Sequence, residues 1–281
     1  MTVRQLCNES KLSYQDAEYL LAHVLGLPRE TLLTHPEQKV GVLRTMLFKW
    51  LTKRRRRHTP LTYLTHKCYF YNHQFLVNRH VLIPRHTTEI LVEKALAIIK
   101  KEGSIRTVVD IGTGSGAIII SVALGLSRDE QQRVSFHASD LHRTALRVAK
   151  KNALRLGISN IHWHYGDLLR PLLPTLQKAS GTTLLTANLP YLGDSDFTST
   201  KPEVQNFEPA TSLRSGSLGL DHNQRLINEL SLLPSPRPKL LFEMDPCHQD
   251  ELVKYITTRL PNAAIEVIDD EAKHPRFIFV C

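Results

Sequence analysis

Seven short apolar runs, separated by segments with helical spacing, constrain this chain more than any other feature. They fall at 107–111, 134–138, 161–165, 184–187, 240–244, 264–268 and 277–280. Each is short enough for a strand and too short for a typical helix. Most of the gaps between them carry an amphipathic helical pattern. Strand-helix alternation of this kind predicts an α/β fold, with a mainly parallel sheet covered on both faces. Seven strands make a complete doubly wound domain. In such sheets ligands bind beyond the carboxyl ends of the strands, so the residues that close each run are the candidates for chemistry.

The first run passes into Asp110-Ile111-Gly112-Thr113-Gly114-Ser115-Gly116-Ala117. Glycines there let the backbone adopt positive φ and come close to a ligand. Gly112, Gly114 and Ala117 also satisfy G-x-G-x-x-A, so the turn alone does not separate a nicotinamide dinucleotide from S-adenosylmethionine. Asp110 favours the latter. Asp-x-Gly-x-Gly-x-Gly resembles the motif of class I methyltransferases, in which an acid sits near the methionine ammonium, whereas a dinucleotide needs N–H groups aimed at a pyrophosphate. The second run leads to Asp140 and Leu141, where a carboxylate suits ribose hydroxyls. The third leads to Gly166-Asp167-Leu168, where the class I pattern has an acid near the adenine amino group. Asp140 and Asp167 each have an alternative reading as a helix cap. Their placement at successive strand ends favours a cofactor. The expected cofactor set is Asp110, Gly112, Thr113, Gly114, Ser115, Gly116, Asp140, Leu141, Asp167, Leu168 and Asn188.

The fourth run leads to Asn188-Leu189-Pro190-Tyr191. The Asn188 side-chain oxygen and the Leu189 carbonyl can accept both hydrogens of a planar NH2 group. Pro190 stiffens the turn by fixing φ, and Tyr191 offers a ring face. Asn188, Pro190 and Tyr191 are the expected catalytic residues, with Asn188 to Tyr191 as the substrate clamp. No dedicated general base is evident, and no metal site is expected.

Upstream, residues 10–58 read as helical. Ser13 caps a helix that Gly26 and Pro28 stop, and a further helix over 40–53 ends in Lys53-Arg54-Arg55-Arg56-Arg57-His58. Residues 63–71 and 74–82, around Asn72-His73, predict a β-hairpin. A helix follows over 87–101, and 193–220 reads as a long irregular loop, a kind that often carries function. The expected domains are a helical substrate-recognition domain at 1–60, a hairpin linker at 61–84 and a catalytic domain at 85–281. The net charge of +9 implies an acidic partner. No apolar run approaches the roughly 18 residues of a membrane span. The four scattered cysteines, with no CxxC, fit free thiols in a reducing cytoplasm.

The order of these segments resembles the release factor glutamine methyltransferases. Residues 16–27 look like that family's N-terminal helical domain, and Pro60-Leu61-Thr62-Tyr63-Leu64-Thr65 resembles its pre-hairpin segment. Val81-Leu82-Ile83-Pro84-Arg85 with Thr88-Glu89 is similar to the start of its catalytic domain. Glu208-Pro209 with Gly219-Leu220-Asp221 resembles the loop beyond its catalytic turn, and the resemblance adds Glu208 and Pro209 to the substrate set. It implies a class I, Rossmann-like methyltransferase sheet and S-adenosylmethionine as methyl donor. It also implies transfer to the N5 amide of the Gly-Gly-Gln glutamine in peptide chain release factors, by a monomer in the cytoplasm without membrane contact. The family's turn is usually Asn-Pro-Pro-Tyr, and here position 189 is Leu. Because that position is expected to act through its carbonyl, Leu should be tolerated. Asn-Leu-Pro-Tyr also resembles the turn of rRNA adenine dimethylases, which keeps nucleic-acid N6-adenine methylation as the alternative and leaves direct nucleic-acid contact open.

Overall fold

Nine strands form in a computed structural model that describes all 281 residues. A short pair, β1 (Lys67–Phe70) and β2 (His73–Leu76), stands apart. The other seven are β3 (Ile105–Ile111), β4 (Ser135–Asp140), β5 (Ile161–Tyr165), β6 (Thr182–Ala187), β7 (Lys239–Glu243), β8 (Ile265–Asp269) and β9 (Pro275–Val280). They make one sheet in the order β5-β4-β3-β6-β7-β9-β8, parallel except for β9. The seven predicted runs match these strands within one or two residues at each end. The class I methyltransferase sheet expected from the sequence is therefore present.

Alternation along the central strands sends side chains into two cores, one on each face. Ile105 and Val108 of β3, with Leu184 of β6 and Leu241 of β7, pack beneath the helices Glu89–Lys101 and Ala117–Leu124. Val109, Ile111, Leu185, Leu240 and Phe242 pack on the other face, with Leu226 and Ile227 of the helix Asp221–Ser231 and Leu252 and Ile256 of the helix Gln249–Arg259. From β3 the chain moves outward to β4 and β5, then returns to the other side of β3 as β6. This reversal opens a crevice at the carboxyl ends of β3 and β6.

The chain divides into two compact units. One comprises Met1–Lys67 and Lys201–Phe207, the other Cys68–Thr200 and Glu208–Cys281. In the first, the Ser13 hydroxyl accepts from Asp16 N at 3.1 Å to start the helix Tyr14–Leu25, and Gly26 ends it at φ 69°. Leu20, Leu21 and Phe48 are among the side chains that fill its core. The basic run at the end of the helix Val42–Arg55 is not uniformly solvated. Arg55 donates to Asp16 at 2.7 Å and also pairs with Glu203, while Arg54 lies over the Trp50 ring.

Two sequence expectations differ in extent from the structure. The hairpin is shorter than 63–82, because Leu61–Thr65 forms a helical turn and the chain beyond Leu76 pairs with no strand. Val77, Val81 and Ile83 are nonetheless buried, and a turn in which Val81 N donates to Asn78 O at 3.1 Å interrupts the segment the sequence reads as a strand. The loop at 193–220 contains the short helices Asp194–Ser199 and Pro202–Phe207, each too brief to show a period. The hairpin is held to the sheet unit by Asn152, whose side chain exchanges hydrogen bonds with Leu76 N and O and also donates to Ser115 O.

Candidate active site

The glycine turn after β3 is shaped from behind. Asp110 is fully buried, and its carboxylate accepts from the Thr113 hydroxyl at 2.6 Å and the Thr186 hydroxyl at 2.9 Å. Burial lifts this carboxyl to about 7, against the opposing pull of those two hydrogen bonds. Asp110 therefore does not line the cleft, as the sequence reading had it, but fixes the turn that does. Gly114 faces the opening at φ 56°, and a Cβ there would meet nothing nearer than Gly112 O at 3.9 Å. Gly116, at φ 81°, lies behind the wall at the start of the helix Ala117–Leu124, where a Cβ would come within 2.8 Å of Ile120.

Asp140 ends β4 on the cleft wall. Its carboxylate accepts from Gly114 N at 2.9 Å and from His142 N at 2.7 Å. The capping reading does not hold, because the helix Arg143–Arg155 starts at His142 with no side-chain cap; Asp140 instead ties the glycine turn to His142 and still borders the cleft. Burial raises its carboxyl above the ordinary value, opposed by these backbone hydrogen bonds. Leu141 is exposed beside it. Asp167 lines the cleft, but its carboxylate is paired with Arg225. Leu168 is buried at φ 46°, a conformation that costs a branched side chain energy and that clusters at ligand clamps.

At the end of β6 the Asn188 amide is held on one side only. Its Nδ2 donates to Thr88 Oγ1 at 3.0 Å and to Glu243 Oε2 at 2.9 Å. Thr88 in turn donates to Glu243 Oε2 at 2.7 Å, and the Tyr191 hydroxyl donates to Glu243 Oε1 at 3.2 Å. Glu243 is completely buried. Its carboxyl is raised by burial, with the Thr88 and Tyr191 hydrogen bonds opposing. Asn188, Leu189 and Pro190 line the cleft, while Tyr191 sits behind it, its phenol raised above the usual value by burial and by Glu243. The Leu189 side chain is buried, and a Cβ added at Gly112 would lie 2.9 Å from its Cδ2. The two turns are therefore in contact.

Glu208 and Pro209 lie off the wall. The Glu208 carboxylate accepts from Ile83 N at 3.1 Å and Arg85 Nη2 at 2.5 Å, which braces the loop against the segment before Thr88. Their neighbours Thr211 and Ser212 line the cleft instead, and Thr211 meets the His142 ring at 3.2 Å.

Sequence reasoning missed Glu243, Thr88 and Arg225. Glu243 had a signal: a carboxylate inside the apolar run 240–244. Such a residue is almost never fully buried unless paired. Thr88 stood in the segment that resembles the start of the family's catalytic domain, though with no role attached to it, and Arg225 carries no local signal.

Comparison with known proteins adds independent support. Residues 4–65 match the family model described as the PrmC N-terminal domain. The release factor glutamine methyltransferase of Bacillus subtilis (strain 168) is 32% identical over 258 residues, covering 90% of this chain and 86% of that protein. The protein of the same name from Nitratidesulfovibrio vulgaris (strain Hildenborough) is 33% identical over 94% of this chain and 86% of its own length. Among solved structures, the hMettl16 catalytic domain in complex with MAT2A 3'UTR hairpin 6 superposes with a TM-score of 0.56 at 15% identity, covering 73% of this chain and 74% of that one. A human methyltransferase 10 domain containing protein gives 0.50 at 15% identity over 75% and 88%. These structural likenesses bear on the fold alone.

Proposed function

The chain belongs to the release factor glutamine methyltransferase family, and on that premise we propose that it methylates the N5 amide of the Gly-Gly-Gln glutamine in peptide chain release factors, with S-adenosylmethionine as donor. The observation that carries the reading is the one-sided anchoring of Asn188. Both its N–H bonds are directed at Thr88 and Glu243, so the amide oxygen is the end left for the cleft. An exposed acceptor beside a backbone carbonyl is what a primary amide requires, because both its hydrogens need partners.

The residues fit the proposed cofactor. Gly114 opens an unfilled cradle, Asp140 offers carboxylate lone pairs at the wall, and Asp167 and Leu168 line the same cleft and would help to hold the cofactor. When bound, S-adenosylmethionine supplies an activated methyl group as electrophile. The chain's own contribution is alignment. Asn188 Oδ1 and the Leu189 carbonyl would hold the two amide hydrogens and point the nitrogen along the cleft. Pro190 restricts the turn, and Tyr191 is fixed beneath it by its hydroxyl on Glu243. Preorganised alignment of this kind can lower a barrier by several kcal/mol (roughly 7–11 in the best intramolecular cases).

Residues 1–60 are assigned to recognition of the protein substrate. The helix Val42–Arg55 exposes Val42, Leu43, Met46, Leu47 and Trp50 beside its basic end, an apolar surface suited to a protein contact. No helix of the chain is long and apolar enough to cross a membrane, and a release factor substrate would place the work in the cytoplasm.

Incubation with methyl-labelled S-adenosylmethionine, purified release factors and ribosomal RNA, followed by mass spectrometry, tests the assignment. Label is expected on the Gly-Gly-Gln glutamine. Label on RNA adenine, or on neither substrate, overturns it.

A further inference from the structure

We propose that Glu243 is the positioning residue of the acceptor turn: its Oε2, which accepts from both Thr88 and Asn188, decides which end of the Asn188 amide faces the cleft. This rests on the reading of Asn188 as the amide clamp and extends it to a residue at the end of the neighbouring strand.

The two ends of a carboxamide are almost the same shape. Packing alone would let Asn188 present either NH2 or oxygen to the cleft. An NH2 group there would confront the hydrogens of the acceptor amide, and the clamp would fail. The hydrogen-bond inventory removes the choice. Glu243 Oε2 receives the Thr88 hydroxyl proton at 2.7 Å and an Asn188 N–H at 2.9 Å. Thr88 has a single proton, and it points at Glu243. Its oxygen is therefore free to accept the second Asn188 N–H at 3.0 Å. A flipped Asn188 would set its own oxygen against Glu243 Oε2, and turning the Thr88 proton to meet it would take that proton from Glu243. Glu243, Thr88 and the C-terminal end of β6 are buried, so water cannot relieve that conflict, and an unmet buried polar group is costly.

The same carboxylate uses Oε1 to hold the Tyr191 hydroxyl at 3.2 Å. One buried group thus fixes the first and last residues of the turn. It can do so because β7 pairs with β6 in parallel, Ala187 opposite Phe242, which brings Glu243 level with Asn188.

Glu243→Gln keeps the shape and replaces one acceptor oxygen with a donor. It should lower kcat about a hundredfold, as expected when a reacting group is misaligned. KM for the release factor and the Kd for S-adenosylmethionine should each move less than about threefold. The exchange Asn188→Asp with Glu243→Gln rebuilds the network in reverse. The new amide at 243 donates to one oxygen at 188, the Thr88 hydroxyl donates there too, and the other oxygen at 188 faces the cleft. The double variant should recover at least about tenfold over Glu243→Gln alone, a gain that simple structural damage would not give. If Glu243→Gln does not fold, Thr88→Val should produce the same kcat-selective loss. A second readout does not depend on turnover. The Asn188 side-chain amide, assigned in NMR spectra by its loss in Asn188→Asp, should exchange slowly in the parent. In Glu243→Gln it should exchange at least about tenfold faster. Unchanged kcat in Glu243→Gln, an exchange pair no more active than that single variant, or unchanged amide exchange would each overturn the proposal. A parent protein that methylates no release factor would instead overturn the functional reading, with the amide-exchange result still deciding this one.

Discussion

The turns after β3 and β6 border the same cleft and present different parts of the chain to it. After β3 the backbone faces inward: Gly112 and Gly114 take positive φ and line the opening. After β6 a side chain faces inward, the Asn188 amide, on a turn stiffened by Pro190. Each turn has a fully buried carboxylate behind it. Asp110 collects the hydroxyls of Thr113 and Thr186, and Glu243 collects Thr88, Asn188 and Tyr191. The first carboxylate sets a backbone path, which suits recognition of a cofactor. The second sets the orientation of one amide, which suits recognition of a reacting group. Damage to the first should appear mainly as lost cofactor binding, and damage to the second mainly as lost turnover.

Asn188→Ala should show the largest effect. Methyl transfer is expected to fall by at least about a hundredfold, in the range seen when a preorganised polar partner is removed. The Kd for S-adenosylmethionine by calorimetry should change less than about threefold. A comparable loss of cofactor binding would erase the distinction between the two turns.

Gly112→Ala attacks the point where they meet. The new Cβ combines φ 70° with a 2.9 Å approach to Leu189 Cδ2. Strain of about 1–3 kcal/mol should weaken cofactor binding by roughly tenfold or more. Combining it with Leu189→Ala should relieve part of the loss, giving a coupling of at least about 0.5 kcal/mol in a double-mutant cycle. Strict additivity would mean that the turns do not communicate through this contact.

The smallest effect concerns Asp110 and pH. In the folded chain its carboxyl is raised from 3.8 to about 7 by burial. Between these values the folded state holds a proton that the unfolded state has released. The contribution of this group to stability is therefore fully present below about pH 4 and lost as the pH rises through about 7. Melting temperatures of the cofactor-free protein should show that decline, and Asp110→Asn should flatten it. An unchanged slope would assign the decline to other groups.

Much of this was legible along the chain. The seven apolar runs gave the sheet because burial on both faces leaves near-continuous hydrophobic strands. The glycine turn was legible because positive φ selects glycine, and Asn188-Leu189-Pro190-Tyr191 because its residues are contiguous. The extent of the hairpin was not, since Val77, Val81 and Ile83 are buried around a turn at 78–81 and without a partner strand. Nor was the position of Asp110, because an acid before a glycine turn reads the same whether it points into the cleft or behind it. Leu189 shows a similar limit. Its carbonyl could be inferred from its place in the turn, but its side-chain contact with Gly112 could not.

The sequence by itself determined the α/β class, the strand ends that carry chemistry and the family to which those segments belong. These rest on local periodicity, local backbone restriction and order along the chain. Only the tertiary structure decided which groups face the cleft and which hold them there. Thr88, Asn188 and Glu243 come from three elements, separated by 100 and 55 residues. Their hydrogen bonds form only after β6 and β7 have paired and the helix Glu89–Lys101 has packed on the sheet. The orientation of an amide depends on the protons its neighbours hold, and those neighbours are chosen by folding.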